Sequence, residues 1–254
     1  MTVTMTFLLT NDDGIYAPGL LALKRELVPL GEVYIVAPDR PRSATGHSIT
    51  LHKPLRVAKI ALADGSLGWA SNGTPSDCVV LGLSGELGWK PTMVVSGINV
   101  GSNLGEDITY SGTVSAAMEG AICGLPSFAI SLAGEPIVDM EAAAKFAARL
   151  AQVLAEQELP AGTFLNVNVP AVAEAEIAGV EITRQARRRY KERLEKRIDL
   201  RGQEYYWLGG ELMNEGTLAG TDVEAVQLNK ISITPIHLDL TQYDFIAKMK
   251  DWKL

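Results

Sequence analysis

Two adjacent carboxylates, Asp12 and Asp13, stand between an asparagine and a glycine in the run Asn11-Asp12-Asp13-Gly14. The apolar run before them, Met5 to Thr10, reads as a buried strand, and a helical pattern follows from Pro18 through Leu27. The pair therefore sits where a strand hands over to a helix, the usual ligand edge of an open α/β sheet. Consecutive side chains on a strand point to opposite faces. Asp12 and Asp13 converge only if the strand has ended, and Gly14 permits that turn. At a separation of ~4 Å two such charges repel by roughly 4 kcal/mol at intermediate dielectric, a penalty that a divalent cation removes. The alternative is a loop aspartate followed by a helix-capping aspartate, a common arrangement.

Three further segments end strands or begin helices and carry small polar residues. They are Arg42 to Ser48, Ser96 to Gly105, and Tyr110-Ser111-Gly112-Thr113. In a parallel sheet such loops meet at one edge. With the Asn11–Gly14 turn they supply oxygens: two carboxylates, the Ser43 hydroxyl and the Asn99 amide. Hard oxygen ligands suit Mg²⁺, Mn²⁺ or Ca²⁺ better than zinc. The three histidines, His47, His52 and His237, show no metal-ligand pairing. Ser111-Gly112-Thr113 ahead of a helical pattern is a candidate anion cradle, because free backbone N–H groups and the positive helix end favour a phosphate there. A plain helix cap is the more frequent meaning of such a run. Gly97, Gly101 and Gly105 do not match the dinucleotide fingerprint, and no P-loop lysine pattern occurs. Both facts weigh against a nicotinamide dehydrogenase and a P-loop ATPase.

The elements that must position these residues alternate along the chain. Strands are expected at Glu32 to Ala37, Thr92 to Ser96, Ser127 to Leu132 and Thr163 to Val169. Helices are expected from the Thr74 cap through about Leu83, from Val114 to Ile122, and over Met140 to Leu154. Such alternation implies a mostly parallel sheet covered on both faces. After Pro170 the pattern changes. Glu181 to Trp207 is polar and strand-like around a basic cluster from Arg187 to Lys191, and a strand at Lys230 to Thr234 and a helix at Gln242 to Trp252 finish the chain. This half has too few apolar residues for a core of its own, so it is expected to pack on the first half or on a neighbouring subunit. The basic cluster could be a nucleic-acid patch, but the interspersed Glu192 and Glu195 favour a solvated or intersubunit arm.

Composition narrows the class. Of 254 residues 47% are hydrophobic and 21% charged, as in a globular protein. The balance of 23 basic against 30 acidic residues gives a net charge of −7, which disfavours nucleic acid or an anionic membrane as a partner. Cys78 and Cys123 lack metal-ligand spacing and read as small apolar residues of a cytoplasmic protein. The N-terminus lacks the pattern of a signal peptide, and no apolar run is long enough to span a bilayer.

The strings LLTNDDGI, APDRPRSATGHSIT, NGTPSDCV, VSGINVGSNLGEDITYSGTVSAAMEGA, LNVNVP and ITPIHLDLT, in this order and spacing, resemble the SurE family of stationary-phase survival proteins. These are metal-dependent 5′-nucleotidases. The resemblance implies a Rossmann-like α/β core, residues 1–170, and a C-terminal extension, residues 171–254, whose hairpin and helix serve oligomerisation and exchange with a neighbouring subunit. It implies one divalent cation per subunit, Mg²⁺ or Mn²⁺, held by Asp12, Asp13, Ser43 and Asn99. Asn11, Asn103, Ser111, Gly112 and Thr113 are expected against the substrate. His237 matches a family position near the site and is the expected acid for the leaving ribose oxygen, although a lone histidine after a strand is more often structural. The implied reaction is hydrolysis of a nucleoside monophosphate by a metal-activated water that Asp12 or Asp13 also orients. Activity on 3′-nucleotides or short polyphosphate is a further option. A nucleotide-dependent transferase and a non-catalytic metal and nucleotide sensor are the competing classes, and the expected assembly is a homodimer or homotetramer.

Overall fold

Strand β1 (Met5–Thr10) shows why this chain makes a covered sheet. Phe7 and Leu9 enter one apolar cluster and Leu8 enters another, so successive side chains feed the two faces. The computed structural model describes residues 5–134 and 139–252. After β1 come α1 (Pro18–Leu27), β2 (Gly31–Pro38), β3 (Val57–Ala61), β4 (Leu67–Ser71), α2 (Pro75–Leu83) and β5 (Met93–Val100). A 3₁₀ turn at Gly105–Thr109 leads to α3 (Gly112–Ile122), β6 (Ser127–Ala133), α4 (Glu141–Glu156) and β7 (Thr163–Pro170). The rest is β8 (Val180–Ile182), β9 (Arg187–Ile198), β10 (Glu204–Glu215), α5 (Asp222–Gln227), β11 (Ile231–His237) and α6 (Tyr243–Met249).

Nine strands form one sheet in the order β3-β4-β2-β1-β5-β6-β7-β11-β8. The run from β4 to β7 is parallel throughout. On one face α1 and α4 bury Leu20, Leu23, Leu27, Ala147 and Leu150 against β1, β5 and β6. On the other, α2 and α3 bury Cys78, Val79, Val114 and Ala117. The connections leave β1 in one direction towards β2 and β5 in the other towards β6. The β1/β5 boundary is therefore the topological switch point, where ligands of such sheets bind at the carboxyl ends.

The α/β architecture agrees with the sequence expectation, and β1 and α1 fall on their expected bounds. Helix α2 begins with the capping box expected from Thr74: the Thr74 hydroxyl accepts from Asp77 N, and the Asp77 carboxylate accepts from Thr74 N at 2.8 Å. Within residues 5–134 two places differ. Strand β5 runs on to Val100 with an irregular register between Ser96 and Asn99, so Asn99 stands on a strand end and not in a loop. The β3–β4 hairpin is absent from the sequence reading, because its short, half-exposed strands lack a clear apolar alternation.

Beyond Pro170 the chain divides. Strand β11 pairs antiparallel with β7 and β8 pairs with β11, extending the main sheet. The long β9 and β10 strands instead pair only with each other, as a separate antiparallel hairpin. The basic cluster opens β9. There Arg188 donates its backbone N–H to Glu106, and its guanidinium lies 3.3 Å from Asp107. The hairpin base is thus tied to the 3₁₀ turn. Buried Asp222 fastens the same junction by accepting from Gly105 N and Ala186 N, both at 2.9 Å.

Candidate active site

The site is built outward from the end of β1. Asn11 closes the turn: its Oδ1 accepts from Gly14 N at 3.0 Å and its Nδ2 donates to Gly14 O at 3.1 Å. Gly14 adopts φ +97°, a conformation that L side chains rarely take. This turn takes Asp12 and Asp13 off the strand. Asn11, expected against substrate, is fully buried with both amide atoms engaged in the turn, so its part is to shape the loop.

Asp12 is buried and meets the N-terminus of α3. The Thr113 hydroxyl donates to Asp12 Oδ1, and the backbone N–H groups of Gly112 and Thr113 support the carboxylate. Ser111 caps this helix, its Oγ accepting from Val114 N at 3.1 Å. A Cβ on Gly112 would lie 2.8 Å from Asp12 Cβ and 3.0 Å from its Oδ2, so only glycine allows this approach. The helix end expected to cradle phosphate is therefore already turned on Asp12, where its positive end favours the charged carboxylate.

Asp13 is drawn to the end of β5, its Oδ2 accepting from Val100 N at 3.4 Å. Its neighbour on that strand is Asn99, whose Nδ2 donates to Gly101 O at 2.8 Å. Arg42 N donates to Asp12 O at 2.7 Å, which holds the chain of Ser43 beside the aspartates. Ser43 itself is exposed. Asn103 is buried and fixed from four directions. Its N–H donates to Asn168 Oδ1, its Nδ2 to Ser131 Oγ, and its carbonyl accepts from Asn166 and Asn168.

Burial pushes the Asp12 carboxyl above the usual carboxylate range, outweighing the Thr113 hydroxyl and the backbone donors that pull it down. Burial, and then the charge of Asp12, push Asp13 up as well. Two partly desolvated, mutually repelling carboxylates at a sheet edge are short of positive charge. A hard divalent cation fits such a donor set, with Asp12 and Asp13 as anionic ligands and Ser43 and Asn99 as neutral oxygens. Among the described residues no group of three or more His, Cys, Asp or Glu gathers in metal-binding fashion, so a cation here depends on those neutral donors.

His237 does not join the site within this chain. It ends β11, which runs antiparallel to β7, and pairs with Thr163 at the start of that strand. The site loops lie at the opposite ends of the parallel strands, a β7 length or roughly 23 Å away. His237 is exposed, and its Nδ1 accepts from Asp239 N at 3.2 Å.

Three residues near the site carried no role in the sequence reading. Asn166 and Asn168, two apart and so on one face of β7, hold Asn103, and the i, i+2 repeat was the signal for them. Glu119 on α3 binds His47; no local pattern marks such a pair across the fold.

Fold and site together define an α/β protein with a two-carboxylate centre at the switch point of a parallel sheet. The family model described as "Survival protein SurE" matches residues 7–192. The chain is 52% identical over 242 residues to the 5′-nucleotidase SurE of Moorella thermoacetica, covering 95% of this chain and 93% of that protein. It is 51% identical to that of Thermosynechococcus vestitus, over 98% of this chain and 96% of the relative. The crystal structure of the SurE protein from Aquifex aeolicus superposes with a TM-score of 0.83 at 46% identity, covering 96% of this chain and 98% of that one. The chain belongs to the SurE family.

Proposed function

We propose that this protein is a metal-dependent 5′-nucleotidase, a phosphoric monoester hydrolase that converts nucleoside 5′-monophosphates to nucleoside and phosphate. The names of its relatives support the activity. The observation that carries it is buried Asp12 at the N-terminus of α3 with its neighbour Asp13 turned to the end of β5. One divalent cation per subunit, Mg²⁺ or Mn²⁺, would be held by Asp12, Asp13, Ser43 and Asn99. When bound, it supplies Lewis-acid polarisation of a phosphoryl oxygen and acidifies water.

The chain's own groups do the rest. Asp13, the less buried carboxylate, orients the attacking water, while Thr113 and the Gly112 N–H hold Asp12 in place. Asn103 and the Ser111–Thr113 turn, which also holds Asp12, flank the phosphate, and the positive helix end offsets charge that develops on the transferring phosphoryl oxygens. His237 has no part in this scheme within one chain.

Residues 1–170 act as the catalytic core and 171–254 as an extension, with the β9–β10 hairpin and α6 as the arm exchanged in a homo-oligomer. No helix among the described residues is long and apolar enough to cross a membrane, and a cytoplasmic location suits this reading. The deciding experiment is phosphate release from nucleoside monophosphates with Mn²⁺ or Mg²⁺ and with chelator. Metal-dependent turnover is expected, and binding without turnover would overturn the assignment.

A further inference from the structure

The segment from Arg42 to Thr50 has no regular secondary structure, yet it forms the rim of the site and carries Ser43. Its start is fixed by Arg42 N on Asp12 O at 2.7 Å and by Arg42 Nη2 on Asn72 O at 2.8 Å. Its end is fixed on α2, where Thr74 Oγ1 donates to Ser48 O at 2.7 Å and Thr50 N to Asp77 Oδ1 at 2.9 Å. Between these points the chain turns through Ala44 at φ +54° and Gly46 at φ +55°, and Gly46 N donates to Tyr110 O at 3.0 Å. Next comes His47, whose Nε2 lies 2.7 Å from Glu119 Oε2. Among the described residues this is the loop's side-chain tie to α3 itself.

Glu119 is a buried carboxylate, 8% exposed. A buried carboxylate is costly unless it is paired and hydrogen-bonded, and His47 is its partner. Glu119 lies seven residues after Gly112, two turns along α3 and on the same face. Gly112 is where α3 meets Asp12. The loop therefore leaves Asp12, crosses the N-terminus of α3 at Tyr110, and is fastened to the same helix face about 10 Å further down.

We infer that the His47–Glu119 pair is a latch that holds the Ser43 loop against α3 and so sets where Ser43 stands relative to Asp12 and Asp13. His47 is a positioning residue, acting through the loop. The inference rests on the reading of Ser43 as a metal ligand, and the test separates the two. His47→Ala is the informative variant, because the ring is partly exposed and its removal opens no cavity in the apolar core. His47→Gln is the rescue variant, since its amide can still donate to Glu119.

In full-length, chelator-treated protein, amide hydrogen exchange is measured across residues 43–48 and across α3. Mn²⁺ affinity is then measured by calorimetry. Expected for His47→Ala is about tenfold faster exchange confined to the loop and about tenfold weaker Mn²⁺ binding, in line with the loss of a charge-assisted hydrogen bond. His47→Gln should restore most of both. Wild-type exchange and affinity in His47→Ala overturn the latch. So does acceleration that spreads through α3, because the pair would then merely stabilise the helix. If the wild-type protein itself binds no Mn²⁺, the metal-site reading fails, and the exchange measurement still decides the latch.

Discussion

At the residue scale the Asp12–Asp13 pair makes two opposite demands. Bound to a cation, each carboxylate is a ligand; without one, each destabilises the fold by its charge. Asp12→Asn should reduce metal-dependent phosphate release by at least about a hundredfold, since even residues that only orient a ligand cost 10–100-fold. Wild-type rates in that variant would remove the site assignment. Both carboxyls lie above the ordinary value of 3.8 in the folded protein. Between 3.8 and the raised values the metal-free folded protein binds more protons than the unfolded chain, so its stability falls as pH rises through that window. Asp13→Asn removes one such group. Its metal-free melting temperature at pH 7 should exceed that of wild type by ~2 °C, and the difference should vanish below about pH 4. Calorimetry with chelator at the two pH values checks this; a difference independent of pH would contradict the assigned direction. The sequence marked both residues as candidates because two adjacent acids precede a glycine where a strand pattern hands over to a helix pattern. It could not place His237, because local sequence does not give strand direction: within one chain β11 returns antiparallel and delivers its end to the other edge.

At the element scale the site depends on how closely α3 and the β1 turn approach, and on β7. Gly112→Val places a Cβ 2.8 Å from Asp12 Cβ, a backbone-anchored atom that cannot swing away. Metal affinity and phosphate affinity should therefore fall together, with overpacking strain of about 1–3 kcal/mol. Retained Mn²⁺ binding with phosphate binding lost would mean that Asp12 moves without cost. Asn168→Ala leaves the buried Asn103 N–H without its acceptor and Asn103 O with one donor fewer. A loss of about 1–3 kcal/mol is expected, with a raised KM and little change in metal affinity, because no metal-ligand candidate touches Asn168. An unchanged KM would take Asn103 off the substrate. Strands and helices with an unbroken apolar period, β1 and α1 above all, were legible to the residue. Strand β5 was not legible beyond Ser96, since Gly97 and Asn99 carry loop chemistry while their backbone stays in the sheet.

At the scale of the whole molecule, the main sheet is closed on both faces but the arm is not. Tyr206 and Leu208 lie on one face of β10 and Tyr205 and Trp207 on the other. All four are exposed, Trp207 at 60% and Leu208 at 75%. The hairpin thus shows apolar surface on both sides, and a two-stranded hairpin without packing is marginal in water. Helix α6 buries none of its residues and exposes Phe245, Ile246 and Met249. Large uncovered apolar surface of this kind is characteristic of interaction sites, and the proposed second copy of the chain would cover hairpin and helix at once. Trp207→Asp discriminates sharply. On a free surface the change is worth no more than about 0.5 kcal/mol either way, and sedimentation would be unaffected. In a subunit interface it buries an unpaired carboxylate, and the protein should sediment as a smaller species at micromolar concentration with a lower melting temperature. Because the hairpin base is tied to the 3₁₀ turn through Arg188, Glu106 and Asp222, and that turn leads directly into Ser111, phosphate release should fall along with assembly. A wild-type protein that sediments as a monomer would refute the assembly, and a dissociated Trp207→Asp variant with full activity would show that the arm does not support the site.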